Sequence, residues 1–157
     1  GLRLEQSRKA VSLFRKEGIV VFGFFMFGLL DETKETMQKT IDFAKEINPH
    51  YANFGVITPL PGTTLYQELQ EKNILEPTEE GIKTGYYSIK GGHFETEKLK
   101  KETVELFVKK AYREFYFRPS KIWDMAKTIK TYRELRWTIE TSLPLLKGML
   151  KNTIKAS

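Results

Sequence analysis

The sequence of 157 residues contains no cysteine. It therefore offers no disulfide, and no thiolate for a zinc ion, an iron–sulfur cluster or a nucleophilic mechanism. The longest uninterrupted apolar run, from Ile19 to Leu30, has 12 residues and includes two glycines. Because a membrane-spanning helix needs roughly 18 or more apolar residues, this run predicts a buried strand and turn. We expect no membrane span.

The sequence also lacks an initiating methionine and the layout of a signal peptide. We therefore expect it to begin within a longer chain, and we expect that chain to be cytoplasmic. Composition is otherwise ordinary for a globular protein, with 40% hydrophobic and 29% charged residues. No low-complexity stretch favours disorder.

Charge is distributed unevenly along the chain. Residues 1–97 hold 11 Lys/Arg and 14 Asp/Glu, a net charge of −3, whereas residues 98–157 hold 15 and 6, a net charge of +9. Such a shift predicts two modules with different surfaces. The boundary is expected within a connecting segment, residues 78–96, between a first domain over 1–77 and a basic helical extension over 97–157.

The first half of the chain alternates helices with strands. The predicted order is a helix over 4–16, a strand over 19–27, a helix from Thr33 to about Ile47, a strand over 51–58 and a helix to about Lys72. Thr64 and Gln67 predict a capping box that opens the last of these helices. Continuous β-branched and aromatic residues in the first strand favour a parallel strand covered on both faces. The rhythm is that of βα units, so the fold class is α/β.

The second half reads as helical, apart from a short strand predicted over 86–89. Apolar residues from Val104 to Phe115 follow one helical stripe, Pro119 begins another helix, and Thr131 with Glu134 predicts a capping box that opens a last one.

Two segments lie where the reactive groups of βα proteins gather, at the carboxyl ends of the strands. These are Gly28 to Thr33 and Thr58 to Thr63. Both combine a glycine with the start of a helix, which favours anions or polar ligands. The alternative is that both segments are ordinary connecting loops without a binding role, since glycine and proline occur in the loops that join strands to helices in many proteins.

Three other patterns give weaker evidence of a catalytic or binding site. Gly23 and Gly28 have the spacing of a P-loop, but leucines stand where Lys and Ser/Thr are required. Complementarity to a helix dipole accounts for the adjacent carboxylates Asp31 and Glu32. His50 and His93 have no carboxylate neighbours in sequence. We therefore assign no catalytic residue and no metal ligand.

Three segments resemble the later part of a radical SAM enzyme core. They are Gly-Phe-Phe-Met-Phe-Gly-Leu-Leu-Asp-Glu-Thr (residues 23–33), Thr-Ile-Asp-Phe-Ala (40–44) and Thr-Pro-Leu-Pro-Gly-Thr-Thr-Leu-Tyr (58–66). The third matches the family pattern in full, and the first has Leu30 and Asp31 where the family usually has Pro and Gly. Residues 111–119, Ala-Tyr-Arg-Glu-Phe-Tyr-Phe-Arg-Pro, are similar to the helical C-terminal extension of the cobalamin-binding subgroup. The resemblance covers about residues 1–135.

The resemblance implies the last βα units of a partial TIM-type barrel, followed by an all-α extension. It implies S-adenosylmethionine (SAM) and a [4Fe-4S] cluster as cofactors of the parent enzyme, with cobalamin as a further cofactor of the subgroup. The cluster ligands, Cys-x3-Cys-x2-Cys, would lie upstream of this sequence. The parent would act on a small-molecule substrate, through a deoxyadenosyl radical.

The resemblance also implies which residues line the SAM pocket, chiefly through backbone and apolar contact with the adenine. They are Phe25, Gly28, Thr58, Pro59, Pro61, Gly62 and Thr63. Glu32 is the expected polar contributor, with helix capping as its alternative role.

Two other functions remain open at this stage. Aromatic residues interleaved with arginines over 112–133 are compatible with a basic module that binds nucleic acid, although helix-spaced aromatics more often form a core. A non-catalytic interaction domain is the other alternative. We expect no specific nucleic-acid binding, and we expect the chain to self-associate as a dimer through an unpaired edge of its first strand.

Overall fold

The computed structural model describes residues 3–60, 62–74, 95, 99–128 and 136. Its helices are α1 (Leu4–Lys16), α2 (Lys34–Ile47), α3 (Thr64–Glu71), α4 (Lys101–Tyr116) and α5 (Pro119–Thr128), and its strands are β1 (Phe22–Phe27) and β2 (Tyr51–Val56). The predicted strand at 86–89 and the predicted cap at Thr131 and Glu134 lie outside the described residues.

The two strands form a parallel pair in which Phe22 lies opposite Tyr51 and Phe27 opposite Val56. Helix α2 connects them along the chain. This confirms an α/β fold with a parallel βα unit. Within the described residues the sheet has two strands, so a partial barrel stays a proposal.

Strand β1 begins three residues later than the sequence predicts. Gly18 adopts a positive φ of 72°, and the N–H of Ile19 turns back to donate to the carbonyl of Phe14 at 2.8 Å. This is the hydrogen bond with which a helix commonly ends after a left-handed glycine. Because helix termination uses the Ile19 N–H, the predicted start of the strand at residue 19 is wrong.

Helix α2 begins and ends as the sequence predicts. Thr33 is its N-cap and accepts from the N–H of Thr36, and Asn48 closes it in the left-handed conformation with φ 45°. Its buried stripe consists of Met37, Ile41 and Ala44. Helix α3 differs by one residue, since its N-cap is Thr63 and not the predicted Thr64.

In the part of the chain that the structure describes, helices cover one face of the sheet. Ala52, Phe54 and Phe27 are buried on that face. Phe22, Phe24 and Met26, at the alternate positions of β1, are 58%, 75% and 52% exposed. The expectation of a strand covered on both faces is therefore wrong for the described residues. We call the second face, formed by Phe22, Phe24, Met26, Tyr51, Asn53 and Gly55, the open face.

Helix α4 packs against β2 through the stripe that the sequence predicts. Phe115 is fully buried, and its ring lies 5.9 Å from that of Phe54 in an edge-on arrangement. The chain divides into two compact units, Gly1–Phe115 and Tyr116–Ser157. All but the last residue of α4 thus belongs to the first unit. The domain boundaries proposed from sequence, 1–77, 78–96 and 97–157, remain a prediction.

Candidate functional site

The two candidate loops leave the sheet side by side. The N–H of Ile57, just after β2, donates to the carbonyl of Phe27, the last residue of β1, at 2.8 Å, so the pairing continues one residue past the end of β2. Gly28 and Thr58 follow immediately. The parallel register therefore brings the starts of the two loops together, as expected for the carboxyl edge of a parallel sheet.

Gly28 sits where three elements approach closely. Its φ is 88°, and a Cβ placed on it would lie 3.3 Å from Cγ1 of Val56 and 3.7 Å from Cγ1 of Val104. Both the left-handed backbone and the tight contact to Val56 favour glycine. A larger residue here would push the exit of β1 away from β2 and α4.

Glu32 braces the turn that begins at Gly28. One carboxylate oxygen, Oε2, accepts from the N–H groups of both Gly28 and Leu29, and the N–H of Glu32 donates to the carbonyl of Leu29 at 3.0 Å. The residue is 7% exposed. Burial raises the pKa of this carboxyl, and the two N–H donors oppose that rise. Glu32 does not cap α2, because Thr33 does.

The second loop is organised by the start of α3. The Thr63 hydroxyl donates to the carbonyl of Leu60 at 2.7 Å and accepts from the N–H of Tyr66 at 3.3 Å. Gly62 has φ 87° and open space where a Cβ would stand. Pro59 is buried and Thr58 is half-buried, while Gly62 and Thr63 are exposed. Pro61 lies outside the described residues.

Phe25 differs from the other candidate residues in where its side chain lies. Its ring stacks on Phe54 with centroids 5.2 Å apart, on the face that the helices cover. At the open face the side chains of β1 are those of Phe22, Phe24 and Met26. Phe25 can therefore reach a ligand on the open face through its backbone only.

The open face and its polar member, Asn53, are not among the residues predicted from the sequence. Asn53 lies directly opposite Phe24 in the register and is exposed. A signal was available, because Ala52 and Phe54 flank Asn53 in an apolar–polar–apolar alternation that typifies a half-covered strand. In the ranges described, no group of three or more His, Asp or Glu side chains is arranged to hold a metal ion.

Two aromatic residues of the basic segment lie on the core side of α4, whereas Phe117 and Trp123 are 50% and 63% exposed. Phe115 is fully buried and Tyr112 is half-buried against Phe54, with ring centroids 5.3 Å apart. This placement favours a packing role over base stacking for these two residues. As far as the structure describes the helices, none has the length and apolar character needed to cross a membrane.

The sequence of this chain is similar to parts of several enzymes. It is 36% identical over 120 residues to an uncharacterized methyltransferase of Pyrococcus horikoshii, a match covering 76% of this chain and 25% of that protein. It is 41% identical over 69 residues to the anaerobic magnesium-protoporphyrin IX monomethyl ester cyclase of Rubrivivax gelatinosus, covering 44% of this chain and 12% of the cyclase. It is 31% identical over 70 residues to the bacteriochlorophyllide d C-12(1)-methyltransferase of Chlorobaculum tepidum, covering 45% of this chain and 15% of that enzyme.

The chain spans a quarter or less of the length of each of these three relatives. No protein-family model matches it, and no solved structure matches it. What the comparisons give is therefore similarity to methyltransferases and to a cyclase over part of their length.

Proposed function

We propose that this chain is the C-terminal part of a radical SAM enzyme of the cobalamin-associated subgroup. The observation that carries the proposal is the pairing of the two motif-bearing loops. Residues 23–33 and 58–66, which carry the resemblance, leave parallel neighbouring strands and meet where Ile57 bonds to Phe27. The similarity to methyltransferases and to the cyclase supports the same assignment.

The residues present fit part of a SAM site and do not fit a cluster site. Without cysteine, the chain has no thiolate for a [4Fe-4S] cluster, whose ligands would have to lie elsewhere in the parent polypeptide. Gly28 leaves the backbone at the end of β1 free of a side chain, and the exposed Gly62 and Thr63 lie at the start of α3. These are positions at which backbone can approach a nucleoside closely.

When bound, SAM and the cluster would supply radical chemistry, and the residues of this chain would position SAM and shield it from water. Glu32 holds the turn after β1 by binding the N–H groups of Gly28 and Leu29. Thr63 fixes the start of α3. Glu32 thus acts on the ligand through the loop that it braces, and Gly28, Thr58 and Pro59 line the pocket. Phe25 contributes backbone, and Gly62 and Thr63 belong to the second loop; the role of Pro61 rests on the resemblance alone.

The test is SAM binding by the complete parent polypeptide, measured by isothermal titration calorimetry. Gly28→Val should weaken binding about tenfold or more, the scale of an overpacked contact. Gly18→Val is the matched control, because Gly18 also has positive φ but has open space around it and lies before β1. Unchanged affinity in Gly28→Val, or an equal loss in both variants, would contradict the proposed role of this turn.

A further inference from the structure

Helix α5 arranges apolar and charged side chains in the reverse of the usual order. Ile122 and Trp123 are 54% and 63% exposed, whereas Lys121 is 1% exposed. A helix at the surface of a globular protein normally buries its large apolar side chains and exposes its lysines. An apolar helix surface that faces solvent in this way marks a site of interaction.

The exposed apolar residues lie along one side of this helix. Pro119, Ile122, Trp123 and Ala126 are spaced three or four positions apart, and each is exposed. Phe117, just before the helix, is 50% exposed. We call these five residues the α5 stripe. Because it includes an aliphatic and two aromatic side chains, the α5 stripe suits an apolar partner.

A lysine lies beside the α5 stripe. Nζ of Lys127 is 5.2 Å from the ring centroid of Trp123, and both residues are exposed. Tryptophan is favoured at the boundary between water and lipid, where the apolar ring and the polar N–H each find a suitable environment. A neighbouring lysine can extend its ammonium group to the lipid phosphates while its methylene groups stay among apolar atoms.

The compact unit that contains α5 also carries the entire net charge of the chain. Residues 116–157 hold 9 Lys/Arg and 3 Asp/Glu, a net charge of +6, whereas residues 1–115 hold 17 of each. Attraction of Lys and Arg to anionic headgroups adds to the affinity that inserted apolar side chains provide. Charge complementarity therefore favours an anionic lipid surface as the partner.

A nucleic acid is also anionic, but it fits α5 less well. Binding of single strands depends on aromatic faces that stack on bases and on exposed basic side chains that contact phosphates. Lys127 lies over one face of the Trp123 ring, and Lys121 is buried. Ile122, the other large side chain of the stripe within α5, has no ring that could stack on a base.

We propose that the α5 stripe binds the headgroup layer of an anionic lipid bilayer and attaches the protein to the membrane surface. Ile122 and Trp123 insert among the lipids, and Lys127 contacts the phosphates. The helix has 10 residues, and a membrane-spanning helix needs roughly 20, so α5 lies along the surface. This inference goes beyond the proposed function and does not depend on SAM binding.

The test uses the 157-residue chain with Trp137→Phe, which leaves Trp123 as its one tryptophan. The probes are vesicles of phosphatidylcholine and phosphatidylglycerol in equal parts, and matched vesicles of phosphatidylcholine alone. The emission maximum of Trp123 should move to shorter wavelength when the anionic vesicles are added. We expect about tenfold or more tighter binding to the anionic vesicles, and we expect added salt to reduce this preference.

Two charge-matched variants separate insertion from general attraction. Ile122→Glu should weaken binding to the anionic vesicles about tenfold or more in cosedimentation, because it places a charge within the inserted stripe. Leu106→Glu is the control, since Leu106 is 62% exposed, lies in the first compact unit and undergoes the same change of charge. All variants are first shown to melt cooperatively, as expected for substitutions at exposed positions.

The proposal is overturned if Trp123 emission does not change with anionic vesicles, if both kinds of vesicle bind equally, or if both glutamate variants weaken binding equally. A single-stranded oligonucleotide that bound more tightly than the vesicles and changed Trp123 emission would assign this surface to nucleic acid instead. A dimer whose Trp123 emission is already at short wavelength without lipid would assign it to a second copy of the chain. Because no SAM is present, none of these outcomes bears on the Gly28→Val measurement.

Discussion

The ammonium group of Lys45 on α2 lies 2.8 Å from Oε2 of Glu114 on α4. Gln38, about two turns earlier on α2, donates to the same oxygen at 3.4 Å. Both partners of the ion pair are 27% exposed. This contact and the hydrogen bond that the Tyr112 hydroxyl donates to Oδ1 of Asn53 attach α4 to the βα unit from two sides, although at least 59 residues of sequence separate the partners.

Replacing Glu114 by Gln should lower the free energy of unfolding by about 0.5–1 kcal/mol at pH 7, the scale of a partly exposed ion pair. Burial raises the pKa of Glu114, but the Lys45 hydrogen bond and charge outweigh it, so the pKa is lowered. A carboxyl whose pKa is lower in the folded state than in the unfolded state stabilises the fold at pH values above its unfolded-state pKa, which is about 4.3 for Glu. The difference in free energy of unfolding between wild type and Glu114→Gln should therefore disappear as pH falls through the lowered folded-state pKa. Urea unfolding at several pH values measures this difference. Glu105→Gln, elsewhere on α4, is the control, and an equal pH response there would contradict this account.

Glu32 should show the opposite pH dependence. Its folded-state pKa is raised, so its contribution to stability is fully present below the unfolded value and is lost as pH rises through the folded one. Glu32→Gln keeps an acceptor and cannot ionise. The wild type should therefore lose stability relative to this variant as pH rises from about 4.3, the unfolded value, through the raised folded-state pKa. Glu32→Ala should cost about 1–3 kcal/mol at low pH, since it leaves two turn N–H groups without their acceptor, and this cost should shrink as pH rises through the folded-state pKa of Glu32. Thermal melts across pH measure both effects, with the exposed Asp31→Asn as control. A wild type that gains stability over Glu32→Gln with rising pH would contradict the assignment.

The exposed aromatic strand should make the isolated chain self-associate. Within the described residues β1 pairs with β2 alone, which leaves one edge of β1 without a strand partner, and Phe24 beside it is 75% exposed. Such edges seek another strand or a covering element. Light scattering after size exclusion should give a dimer or larger species of the 18.3 kDa chain. Phe24→Lys should shift this towards monomer, whereas Leu106→Lys, at a residue 62% exposed on α4, should not. A wild-type monomer at tens of micromolar would show that the edge is already covered.

The chain by itself should assemble no cluster. Incubated anaerobically with iron, sulfide and SAM, it should show no cluster absorbance and no deoxyadenosine, because it offers no thiolate ligand. Absorbance spectroscopy and chromatography of the products check this. A stoichiometric cluster would contradict the division of roles between this chain and the rest of the parent protein.

Local signals predict part of this fold well. Thr33 and the Asn48–Pro49 pair determine the bounds of α2 through hydrogen bonds within a few residues, and the sequence shows them directly. Apolar spacing likewise predicts the buried stripe of α4. By contrast, the start of β1 depends on how α1 ends at Gly18 and Ile19, a competition that strand propensity alone does not resolve.

The features that matter most for the site depend on contacts between residues that are far apart in the sequence. Strand composition predicts two covered faces for β1, yet the described helices cover one, and no local pattern decides which neighbours a face receives. The orientation of Asn53 depends on Tyr112, which lies 59 positions later. Thr63 competes with Thr64 for the same cap, and the turn at Gly62 with φ 87° favours the earlier residue.

The central claim, that this chain completes a radical SAM enzyme, is tested most directly by the activity of the complete parent polypeptide. Purified and reconstituted anaerobically with iron and sulfide, then reduced, it should convert SAM to deoxyadenosine. That activity should disappear when the cysteines of an upstream Cys-x3-Cys-x2-Cys segment are replaced by alanine. A parent polypeptide that has no such segment, or that forms no deoxyadenosine under these conditions, would contradict the claim.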